Sequence, residues 1–206
     1  MNEKIIKLTA VIGLIIGGIF GMAGSFAPTD SLRCIAWNID GVGLTVACSL
    51  LTVFYFKKKS PITATGFLVF AIGECFILAS NGIHIDEHVY TFGIGVSLWA
   101  ISLIVISTQK IYPIFVRCTG FLSSVLFSIV AMLISHHAIN PLTKPLPFFA
   151  YPFFVMTILG WAWKLAEGRK GRKAEEIKKR LVVVGVSCSE RSRTISNDQR
   201  DSKTEF

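Results

Sequence analysis

Apolar residues run along this chain in six long blocks, broken by short polar connections. The blocks cover Leu8 to Ala27, Cys34 to Phe56, Ile62 to Ile83, Tyr90 to Ile106, Cys118 to Ser135 and Leu146 to Leu165. Their lengths suit helices crossing a hydrocarbon layer about 30 Å thick. The pattern predicts an all-α integral membrane protein, a bundle of six transmembrane helices. Residues 1–165 form the membrane domain. Residues 166–206 form a tail, basic at first and then polar, serine-rich and expected to be disordered. Ile111 to Val116 reads as an interfacial lead-in to the fifth span. Pro141, Pro145 and Pro147 lead into the sixth, and Pro152 is expected to kink it.

Charge gives the bundle a direction. Lys4, Lys7, Lys57, Lys58, Lys59, Lys110, Arg117 and the stretch from Lys164 onward fall on one side of a six-span topology, and only Arg33 and Lys144 fall on the other. Basic residues collect in cytoplasmic segments, so both termini are expected in the cytoplasm. The membrane expected is a bacterial inner membrane or an equivalent plasma membrane. Lys164 to Arg180 carries eight basic and three acidic residues, and this tail segment is expected to attract anionic lipid.

Composition agrees with the blocks. Of 206 residues, 52% are hydrophobic and 17% charged, below the roughly 25% charged usual in soluble domains. Mean hydropathy is +0.59. The net charge of +8 sits in the tail and at block edges, without nucleic-acid-binding motifs, and no nucleic-acid partner is expected.

The first block contains Gly13, Gly17, Gly21 and Ser25, a small residue at every fourth position. Such a ladder lets a second helix approach closely, within this chain, in another copy or in a partner membrane protein. A cleavable signal is the competing reading, since Ser25-Phe26-Ala27 has a small-x-small pattern. The ladder and a run of about 20 residues favour a retained helix.

Polar residues inside the blocks are the candidates for chemistry. An ionisable group at mid-membrane costs roughly 2.5–3.5 kcal/mol on insertion scales. Glu74 lies about midway along the third block, with Asn81 at i+7 and His84 a turn further, a polar track toward the outer surface. Asp40 lies in the second block beside Gly41 and Gly43, expected roughly 10 Å below the outer boundary and so nearer the outside than Glu74. The glycines are expected to weaken the helix there, and Arg33, seven residues earlier, is a candidate ion-pair partner. These four residues, Glu74, Asp40, Asn81 and His84, form the candidate ion or ligand site. His84, His88, His136 and His137 all fall on the predicted outer side and with Asp86 and Glu87 form a weaker candidate metal site.

Three functions fit: movement or sensing of a small solute, proton or cation through the buried carboxylates; a non-catalytic accessory or assembly role; or a metal-dependent membrane enzyme using the outer histidines. Motifs for covalent, nucleotide or dinucleotide chemistry are absent, so no cofactor is indicated and a non-enzymatic role is favoured. Cys34, Cys48, Cys75, Cys118 and Cys188 form no CxxC pair and read as packing residues.

Overall fold

The structure, a computed structural model, describes residues 3–80, 89–136 and 149–167. The descriptions of Asn81, His84, His88, His137, Cys188 and the basic tail after Glu167 lie outside this set. Six helices are long and apolar enough to cross a membrane: α1 (Glu3–Ser25), α2 (Asp30–Lys57), α3 (Pro61–Ser80), α4 (Val89–Ser107), α5 (Ile114–Ser135) and α6 (Phe149–Glu167). This is the architecture of a multi-pass membrane protein.

Local chemistry sets the ends of these helices. Thr29 caps α2 by accepting from the Leu32 N–H at 3.4 Å. Lys59 turns the chain out of α2 with φ 57°, a conformation that non-glycine residues adopt sparingly. Pro61 opens α3, where its missing N–H is harmless, and the Ser60 hydroxyl bonds Thr63 Oγ1 at 2.8 Å. The segment before the fifth block is helical from Ile114, so Arg117 lies inside α5. Its Nε donates to the Ser107 carbonyl at 2.8 Å, closing the end of α4. Two expected distortions do not break a helix. α2 runs without interruption through Gly41 and Gly43. Pro152 falls in the opening turn of α6, where an N–H would have no partner within the helix.

Consecutive helices pack side by side, and α6 closes the set. It meets α5 through a Thr157–Thr119 hydroxyl bond of 3.0 Å. It meets α1 where Val155 faces Gly18, 3.6 Å from the place a Cβ would occupy. The centre is aromatic. Trp99 of α4 stacks on Phe70 of α3 and Phe154 of α6, at centroid distances of 5.7 and 5.0 Å. Phe127 of α5 and Trp161 of α6 meet the same group edge-on. Outside, Ile16, Val46, Ile72, Ile101, Val125 and Met156 are exposed, while Asp40, Glu74, Ser102, Ser123, Ser124 and Thr157 are buried. Apolar outside and polar inside is the distribution that lipid imposes. Ser124 Oγ donates across to the Ala100 carbonyl of α4 at 2.7 Å, the kind of interhelical bond that joins spans where no hydrophobic force acts between them.

α3 and α4 approach through reciprocal glycines. A Cβ on Gly73 would lie 3.0 Å from the Gly95 carbonyl oxygen, and one on Gly95 would lie 2.8 Å from that of Gly73. Neither backbone has room to yield. Gly95→Val is expected to force the two helices apart and to lower stability by about 1–3 kcal/mol, the usual penalty of overpacking, in unfolding titrations in detergent. Wild-type stability in that variant would contradict the close approach.

Candidate functional site

Four helices meet around two acids. Asp40 is on the buried face of α2 and Glu74 on the buried face of α3, with relative exposures of 3% and 1%. The two are neighbours across the α2–α3 contact. A Cβ on Gly41, the residue after Asp40, would lie 3.4 Å from Glu74 Oε2, and Glu74 is within electrostatic range of Asp40. Gly41 admits α3 at this level, with Leu78 packed over it. Gly73 seats the opposite side of α3 on α4, which turns the next residue, Glu74, toward α2. The Gly73-Glu74 and Asp40-Gly41 pairs are alike: each glycine lets a helix come close, and each neighbouring acid is buried.

α1 supplies the third wall. A Cβ on Gly17 would lie 3.1 Å from Asp40 Oδ1, and one on Gly21 would lie 2.6 Å from Asp40 Oδ2 and 2.9 Å from Tyr151 Cε1. The ladder of small residues is spent inside the chain. Gly13 meets the Gly43 carbonyl and Ala47, Gly17 meets Leu44 and Asp40, and Gly21 meets Asp40 and Tyr151. Its last step is Gly24, which lies under the Trp37 ring. Ser25 instead turns its hydroxyl back to the Gly21 carbonyl at 3.1 Å, a bond within α1.

α6 supplies the fourth wall and the one hydrogen-bond donor that reaches Asp40 among the described residues. The Tyr151 hydroxyl donates to Asp40 Oδ2 at 3.2 Å. Asp40 Oδ1 and Glu74 Oε1 are buried, and neither has a hydrogen-bond partner among the described residues. Two acceptor atoms thus stand unsatisfied in an apolar interior, where such groups are costly. This arrangement suits a proton carried by one acid, or a small cation held between the two.

One expectation about this region changes. Arg33 does not reach Asp40. It pairs with Asp30 at 2.8 Å and approaches the Ala27 carbonyl, because the polar end of the helix offers an exposed partner one turn away. Asn38, two residues before Asp40, places its Nδ2 on Cys34 Sγ at 3.6 Å.

Of the candidate metal cluster only His136 falls among the described residues; elsewhere among them no three His, Cys, Asp or Glu side chains gather to hold an ion. His136 caps α5 and is exposed. Its three companions lie outside the described set, as do Asn81 and His84 of the polar track.

Two features were not read from the sequence. Tyr151 is one. Its signal was available, since a tyrosine hydroxyl within an apolar helix needs a partner. The other is a tyrosine pair at the opposite end of the bundle. Tyr112 sits on the short α4–α5 connection, yet it is buried, and its hydroxyl bonds that of Tyr55 at 2.7 Å. Burial, with Tyr55 alongside, holds the Tyr112 hydroxyl well above the usual tyrosine range, so it stays protonated. Tyr55 also stacks on Phe67 with centroids 5.5 Å apart.

The Tyr151–Asp40 bond implies energetic coupling between α6 and α2. Tyr151→Phe and Asp40→Ala are expected to be non-additive in a double-mutant cycle, with an interaction energy between roughly 0.5 and 3 kcal/mol, read from unfolding in detergent. Strictly additive losses would show that the contact carries no stability. No protein-family model, no curated protein and no solved structure matches this chain, so the case for a site stands on this geometry alone.

Proposed function

We propose that this protein is a small membrane carrier that binds and releases a proton or a small monovalent cation at the Asp40–Glu74 pair. The observation that supports this most is the burial of both acids in one part of the bundle, each with an oxygen that lacks a partner among the described residues. Carboxylates used only as packing contacts would be spent on hydrogen bonds, as Asp40 Oδ2 is on Tyr151. Unspent buried oxygens on neighbouring acids are what a transferable positive charge requires. A proton or cation there balances charge that hydrocarbon disfavours, and its loss changes the interaction among α1, α2, α3 and α6 together. The site is closed by the aromatic centre below it, so exchange requires movement of the helices that wall it. Close glycine contacts allow such sliding at little steric cost.

In this reading the basic end of the bundle, with Lys57, Lys58, Lys59 and Arg117, faces the cytoplasm, following the charge rule. The acid pair then lies in the outer half of the membrane. An accessory role loses its main motivation, because the α1 glycines expected to receive a partner are occupied by α2 and by Tyr151. A metal-dependent enzyme has no gathered ligand set among the described residues to support it.

Purified protein in sealed liposomes is expected to move protons, sodium or potassium down an imposed gradient, followed by an internal pH or cation-sensitive dye. Glu74→Gln and Asp40→Asn should each abolish the flux while leaving the protein folded in detergent. Absence of flux for all three ions, or full activity in both variants, would sink the proposal.

A further inference from the structure

A second polar cluster lies at the other end of α1 and α2. A cavity of about 140 Å³ opens between the first turn of α1 and the last turn of α2, lined by Glu3, Ile6, Phe54, Lys57 and Lys58. Phe54 forms its apolar floor. The Lys7 ammonium lies 4.8 Å from the Phe54 ring centroid and the Lys58 ammonium 5.9 Å, so one ring organises two cations. Lys7 is 7% exposed although it is a lysine on a spanning helix.

We propose that this cavity binds the phosphate of an anionic lipid headgroup. Three observations converge on an anion. The lining holds two lysines, with a third beside the same ring, against one glutamate. The first-turn N–H groups of the 23-residue α1 lie at this end, where unpaired donors and the helix dipole favour negative charge. The opposing C-terminal carbonyls of α2 are not left bare, because the N–H groups of Lys58, Lys59 and Ser60 bond to Phe54, Tyr55 and Phe56. The site also contains a carboxylate that imitates its ligand. Glu3 Oε1 lies 3.3 Å from the Lys58 ammonium and 4.0 Å from that of Lys7. Well-formed charged hydrogen bonds are about 2.7–2.9 Å, so the carboxylate spans the two cations without fitting either closely. A phosphate, with more oxygens and a larger radius, can meet both. The location favours a lipid as its source. Ile5 and Phe56, next in sequence to the lining residues Ile6 and Lys57, are exposed and apolar and offer a surface for acyl chains where the helices leave the hydrocarbon.

The test is retention of added phospholipid by the full-length protein in mild neutral detergent, read by native mass spectrometry. Phosphatidylglycerol is expected to be retained over phosphatidylcholine of the same chains. Lys57→Gln and Lys58→Gln should weaken retention about fivefold per lysine removed, at roughly 1 kcal/mol per basic residue near a membrane. Glu3→Gln should strengthen it by removing the competing carboxylate. Lys59→Gln removes the same charge one residue outside the lining and should have no effect. The Lys57→Arg, Lys58→Arg double variant should retain the lipid, which separates lost binding from lost folding. Inorganic phosphate and soluble glycerophosphoglycerol are added as competitors. Displacement by phosphate alone at low concentration would keep the anion site and assign it to free phosphate, while resistance to both assigns it to the lipid. Equal retention of both phospholipids, or a loss with Lys59→Gln as large as with Lys58→Gln, would overturn the proposal and leave only diffuse surface charge.

Discussion

Keeping two acids out of lipid is the constraint around which this bundle is organised. Hydrocarbon offers no solvation to a carboxylate, so Asp40 and Glu74 must be enclosed by protein. The enclosure uses all four neighbouring helices. α3 reaches α2 because Gly41 has no side chain, α1 reaches Asp40 because Gly17 and Gly21 have none, and α6 brings the Tyr151 hydroxyl. Gly73 and Gly95 set α3 against α4 at the same level. Glycine contacts thus surround the most expensive side chains.

The two ends of the molecule are held differently. At the basic end, the Tyr55–Tyr112 hydroxyl pair, the Arg117 bond to the end of α4 and the Glu3–Lys58 ion pair tie connections to helices. Aromatic stacking continues from Tyr55 through Phe67 to Trp161. Around the acids the contacts are glycine faces and one tyrosine hydroxyl. In the proposed carrier, movement that opens the acid pair would pivot about the basic end, where side chains interlock, and slide where they are absent.

Much of this was legible beforehand because lipid imposes simple rules. Long apolar blocks, basic edges and buried acids are all visible in a linear chain, and each has one physical meaning in a membrane. Helix ends were less legible. α2 extends four residues beyond its apolar block because Thr29 and Asp30 cap and charge its start, which is local chemistry that hydropathy does not report. The partner of Asp40 was also hidden. Arg33 has the right spacing on one helix, but Tyr151, more than a hundred residues away, has the right place in space. The small-residue ladder was visible as a contact surface, but what it contacts depends on packing, and Gly24 rather than Ser25 carries its last step.

The fit between Gly21 and Asp40 has a consequence for how such a chain can vary. The space that a methyl group on Gly21 would occupy is already held by Asp40 Oδ2 and the edge of Tyr151. Side-chain volume on α1 and negative charge on α2 are therefore alternatives at that level. A chain that kept this fold but gave up the acid would be free to place alanine or serine opposite it, and one that kept the acid would have to keep the gap. The two positions behave as a single heritable unit, and a change at one selects what the other can become.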